Sequence, residues 1–174
     1  MTRNRWVVGA VLLAVGVGLL SFVPSAWRTH LLEIARARGV LPYTADEAVA
    51  LAYRRCSGCH DIDKVTKYCA RCGPPFIIVS HFMKKYIEVF QSQGGTVPQL
   101  TDAELVAIVQ TWNGLVGNWE ADWRSQDLQK LLKGNEALTN LLATPVANRP
   151  IETALQGGRA PGSYKEQMAV EKGQ

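Results

Sequence analysis

Two thiols and an imidazole stand together in Cys56-Ser-Gly-Cys59-His60. A cysteine sulfur can bond covalently to a vinyl group, and an imidazole nitrogen can ligate iron. C-x-x-C-H is the spacing that brings both to one porphyrin, the attachment signature of c-type haem. Positions i, i+3 and i+4 share one face of a helix, so both sulfurs can reach one edge of a flat macrocycle while His60 comes under its metal. Gly58, bare of a side chain, permits that close approach. With only four cysteines and three histidines in 174 residues, a chance match is rare. The residues point to one covalently bound haem c, held by Cys56 and Cys59 with His60 as the proximal iron ligand.

Cys69-Ala-Arg-Cys72-Gly73 is a second cysteine pair, but no histidine follows it, so it is no second haem site. In an oxidising compartment it would close a short-range disulfide. Lys67 and Arg71 would favour thiolate, which leaves a redox-active dithiol open alongside free thiols. Taken together, Cys56, Cys59, Cys69 and Cys72 also define the rival from another class, a membrane-tethered zinc module with four thiolates. The loop between the pairs is shorter than the common ribbon spacing, and an exported chain is a poor place for four reduced thiols.

Two side chains offer a distal ligand. Met83 lies with Val79, Ile87 and Phe90 on an apolar helical face, whereas His81 shares a face with Lys84, Lys85 and Glu88. Met83 is the favoured candidate and His81 the alternative. Iron lacking a strong sixth ligand would instead suit a haem sensor or ligand-binding protein, although no distal acid or base is visible to support one.

Helices must position these groups. Thr44-Ala-Asp-Glu47 reads as a capping box, behind which Val49, Ala52, Tyr53 and Cys56 recur at helical spacing, predicting a helix over 44–60. After Gly73-Pro-Pro75 a second helix is expected over Ile77–Gln91, stopping at Gly94-Gly95. Thr101-Asp-Ala-Glu104 is another capping box, and Leu105, Ile108, Val109 and Trp112 form the apolar stripe of a helix over 101–113. Amphipathic helices through Leu128, Leu131, Leu132, Leu138, Leu141 and Leu142 end near Pro145. From Ala147 onward Gly, Pro and polar residues predict a mobile tail. Upstream, Trp6 to Trp27 carries no charge and would span about 33 Å as a helix, enough for a bilayer core. Terminal tryptophans suit the interfacial belt, and a cleaved signal peptide is the other reading. The expectation is an all-α chain: anchor or uncleaved signal over 1–28, connector over 29–43, haem domain over 44–116, helical extension over 117–146 and tail over 147–174.

Residues 44–112 resemble the single-haem class I cytochrome c family, through C-x-x-C-H at the end of a capped helix and Leu100-Thr-Asp-Ala-Glu-Leu-Val-Ala-Ile-Val109 as its last helix. The resemblance implies a first helix ending in the haem motif, crossed by the last one, and maturation after export. It thus implies a single-pass inner-membrane protein with its haem domain on the periplasmic side. Family members place a methionine shortly before the last helix, where this chain has Val97, or in the preceding helix, where alignment on Gly94 gives Phe90.

The net charge of +4 is too small to argue for nucleic acid, and no basic stretch is interleaved with aromatics. Lys64, Lys67, Lys84 and Lys85 read first as a solvated face, with guidance of an acidic redox partner as the other reading. No Ser/His/Asp arrangement, phosphate loop or carboxylate pair is visible. The expected work is therefore electron transfer within a larger membrane complex, with any substrate chemistry left to partner proteins.

Overall fold

The computed structural model describes residues 25–67 and 73–158. The membrane-anchor expectation falls almost wholly on residues 1–24, outside the described residues. Among the described residues no helix is long and apolar enough to cross a membrane. Cys69 and Cys72 also lie outside them.

The described residues are all-helical, with eight α-helices and no strand. These are α1 (Ser25–Ala37), α2 (Ala45–Cys56), α3 (Asp63–Thr66), α4 (Phe76–Ser92), α5 (Asp102–Leu115), α6 (Ser125–Leu131), α7 (Glu136–Ala143) and α8 (Pro150–Leu155). The chain divides into two compact units between Ala35 and Arg36. In the first, no residue of α1 is buried, and Trp27, Leu31 and Ile34 stand exposed.

The second unit is built around α5, which packs against α2, α4, α7 and α8. Both expected capping boxes form. Thr44 Oγ1 accepts from the Glu47 N–H while Glu47 accepts from the Thr44 N–H, and Thr101 and Glu104 repeat the exchange. The predicted stripe of Leu105, Ile108, Val109 and Trp112 is buried. So are Ala107, Gln110, Thr111, Asn113 and Gly114 on the rest of the circumference. A helix buried all round needs partners on two sides, and α8 is the second.

Here the structure departs from the expected mobile tail over its first part; residues 159–174 of that expectation lie outside the described residues. Residues 146–155 form a 3-10 turn and α8, and Arg149, Ile151 and Glu152 are buried. The segment lacks apolar periodicity because its docking relies on close approach and paired charge. A Cβ on Gly114 would lie 2.6 Å from Leu155 Cβ, so glycine is what lets α8 lie against α5. Gln110 Oε1 accepts the Ile151 N–H at 3.2 Å, satisfying a donor that α8 cannot pair internally. Arg149, 2 % exposed, donates to both oxygens of Glu120 (3.1 and 2.8 Å) and to Glu152 at 3.2 Å. Asn113 and Asn118 supply the remaining donors to the two carboxylates. Burial pulls the Arg149 pKa down, but Glu120 and Glu152 outweigh it and hold it above its ordinary value.

Arg149→Met would leave two buried carboxylates without their cation. It is expected to destabilise the domain by about 3–5 kcal/mol, the range for removing one partner of a buried pair. The urea midpoint measures this, and a loss below about 1 kcal/mol would show that α8 is not docked in solution.

Candidate functional site

α2 carries Cys56 into the core, where it belongs to one apolar cluster with Leu51, Ala52 and Trp112 and stands beside the Trp112 indole. The helix ends there. Ser57 caps it with an N–H bond to Tyr53 O at 3.0 Å, and Gly58, Cys59 and His60 follow in a turn. The expected continuous helix to His60 is therefore shorter by a turn, since Ser57 and Gly58 are weak helix formers at a solvent-exposed end. Both thiols and the imidazole nonetheless border one cavity.

That cavity has a volume of about 790 Å³, inside the range of about 300–1,000 Å³ common for cofactor sites. It is lined by Cys56, Cys59 and His60, by Val79, Met83 and Ile87 of α4, and by Leu100 with Leu105 and Ile108 of α5. Phe82, Tyr86 and Phe90 also line it, although each is at least 39 % exposed. Large apolar side chains left this open suit a flat apolar ligand lying against them. Phe90 is held by Gly95, where a Cβ would fall 2.1 Å from its ring.

The two thiols differ. Burial pushes the Cys56 thiol above its usual range, with the Trp112 indole N–H pulling it down and Cys59 adding to the rise. The pull is weak, because Trp112 Nε1, itself buried, closes no hydrogen bond of standard geometry. Cys59 is exposed, and both thiols are free. Trp112 is fixed by Tyr53 (centroids 5.2 Å apart) and Phe76 (6.2 Å), and Phe76 leads on to Trp119 at 5.9 Å. The Trp119 indole donates to Gly73 O at 3.1 Å, tying the turn that leads into α4 to the core.

His60 Nδ1 lies 3.0 Å from Asp61 O. A carbonyl only accepts, so Nδ1 carries the proton and Nε2 keeps the lone pair that a metal needs. The same carbonyl accepts the Lys64 N–H at 3.1 Å, which sets His60 on the short α3 anchored by buried Val65 and Thr66.

Of the two distal candidates, Met83 lines the cavity and His81 does not. Its grouping with Lys84, Lys85 and Glu88 suggested a solvated histidine, but His81 is 2 % exposed. The first turn and a half of α4 is buried on both faces, and the charges that frame His81 in sequence belong to the exposed turn that follows. Neither ring nitrogen has a partner, and burial, then Lys85, draws its pKa down against the pull of Glu88. Val97 and Phe90, the positions weighed for a family methionine, both border the cavity and carry no ligand atom.

Sequence reasoning missed Arg55, which lines the cavity next to Cys56 and bonds Glu104. Its adjacency to Cys56 was the available signal. Of the lysines considered for a partner face, Lys67 pairs with Asp63 and Lys84 with Asp102, each at 2.7 Å. No family model, curated protein or solved structure matches the chain.

In haem-free protein near pH 8, iodoacetamide is expected to alkylate Cys59 at least about tenfold faster than Cys56, since thiolate is the reactive form and burial opposes it at Cys56. Peptide mass spectrometry separates the two sites. The Cys56 rate should climb to higher pH than an ordinary thiol, and equal rates would place Cys56 at the surface.

Proposed function

We propose that the chain is a membrane-anchored c-type cytochrome, carrying single electrons on the periplasmic side of the inner membrane as a subunit of a larger respiratory or photosynthetic oxidoreductase. The observation that carries this reading is the convergence of Cys56, Cys59, His60 and Met83, from separate elements, on the walls of one apolar cavity. The residues fit the group: two free thiols, an imidazole with its Nε2 lone pair available and a thioether line one cavity with a largely apolar lining.

Covalently bound haem c would supply reversible one-electron chemistry at its iron. Cys56 and Cys59 would hold it as thioethers. His60 would ligate through Nε2, with Asp61 O fixing the ring's tautomer and orientation. Met83 would be the distal ligand in this reading, since of the two candidates it is the one that lines the cavity. Leu100, Leu105 and Ile108 give the site an apolar lining that would disfavour water, and a thioether ligand in apolar surroundings raises the potential. The charge-free run Trp6–Trp27 supports the anchor, and C-x-x-C-H supports maturation outside the cytoplasm. Electron donor and acceptor would be partner proteins of the same membrane complex.

Expression with a cytochrome c maturation system, followed by acid–acetone extraction and a pyridine haemochrome spectrum, tests this reading. One haem per chain should survive extraction and disappear in Cys56→Ala/Cys59→Ala. Met83→Ala should abolish the methionine-to-iron charge-transfer band of the ferric protein, whereas His81→Ala should keep it. A chain that retains no haem overturns the proposal.

A further inference from the structure

We infer that Arg55 and Glu104 form an ion pair in which each charge offsets the other's effect on the reduction potential of the cofactor in this cavity, an inference that rests on the cytochrome reading. Arg55 is the only lysine or arginine bordering the cavity among the described residues, and its neighbour in sequence is Cys56. Its Nε and Nη2 both donate to Glu104 Oε1, at 3.2 and 2.5 Å. Glu104 is buried at 3 % exposure and precedes Leu105, which also borders the cavity. Its other oxygen is engaged by the Thr101 N–H at 3.0 Å. The carboxylate is therefore locked in place by the cap of α5, and the cation is locked to it. The charge of Glu104 is felt nearby, adding to the rise that burial imposes on Tyr43.

Oxidised haem carries one more positive charge than reduced haem. A cation on the cavity wall disfavours the ferric form and raises the potential, and an anion lowers it. As a pair, Arg55 and Glu104 nearly cancel, and each holds the other's contribution in check. Charge is the variable here, because the two residues are joined and share one wall. Loosening that wall, a structural effect, would admit water and move the potential the same way whichever partner were removed. Losing one charge moves it in opposite directions.

The experiment is spectroelectrochemical titration of the holoprotein and its variants, with thermal unfolding of each haem-free chain alongside. Glu104→Gln keeps the shape and the capping acceptor and leaves Arg55 unopposed. It should favour the ferrous form about tenfold at fixed poise, or about 59 mV for one electron. Arg55→Met, which keeps the apolar stem, should move the ratio by a similar factor the other way. The double variant should return close to the starting value, as a coupled pair requires. Shifts of both single variants in one direction, or no shift in either, overturn the inference while leaving the cytochrome reading intact. Should Arg55→Met fail to fold, Glu104→Gln decides alone, because glutamine is an accepted capping-box residue. No upward shift then refutes the ion-pair role. A wild-type chain that holds no haem removes the cytochrome reading and this inference together.

Discussion

α5 is buried around nearly its whole circumference, and the rest of the second unit follows from how each side of it is covered. Eleven of its fourteen residues are buried, several of them polar, so no single apolar contact can account for it. Toward α2 and α4 the helix presents Leu105, Ile108 and Trp112, and the contact is ordinary apolar burial. Toward α8 it presents Gln110, Asn113 and Gly114, and the contact depends on backbone approach and on hydrogen bonds that leave few buried groups unpaired. A polar interface of this kind is stable only when complete, because an isolated buried carboxylate is far worse than none. Arg149 completes it.

The two sides are linked through Trp112 and Asn113, neighbours on one helix. Trp112 packs on Tyr53 and Phe76 and stands against Cys56, while Asn113 joins Glu120 to Glu152. A helix free to rotate or slide could not keep Leu105 and Ile108 under the cavity. The polar side fixes its rotation, since hydrogen bonds are directional where apolar contact is not. The apolar side then has a firm wall beside the cavity that Cys56 of α2, Cys59 of the turn after it and Met83 of α4 also line.

Much of this was legible in the sequence, and the part that was not has a common cause. Capping boxes announced α2 and α5, because a Thr and a Glu three residues apart satisfy each other's backbone locally. The cavity-facing side of α4 was legible as well, since Val79, Met83, Ile87 and Phe90 repeat at helical spacing. Hidden features depended on partners distant in the chain. Pro150 to Leu155 has too few apolar residues to signal a docked helix, and its stability comes from Gln110, Asn113 and Gly114, some forty residues earlier. The burial of His81 was hidden for the same reason, because its charged sequence neighbours sit one turn further along a helix whose burial stops midway. Glu104 was legible only as a cap. That its carboxylate also holds Arg55 required the crossing of α2 and α5.

The form of the cavity bears on why covalent attachment would be used at all. Tyr86 is 71 % exposed and Phe90 49 %, so the outer wall is open to water and gives limited burial to anything lying against it. A cofactor held there by apolar contact and one imidazole would be held less firmly than in a closed site, because the exposed wall removes less of it from water. Two covalent bonds from Cys56 and Cys59, as proposed, would remove that dependence, and the domain could then leave one edge of the site exposed without losing its contents. An exposed edge is what single-electron exchange with a partner requires, since the rate falls steeply with distance. The same openness that would make this a poor site for a dissociable ligand suits a permanently attached redox group.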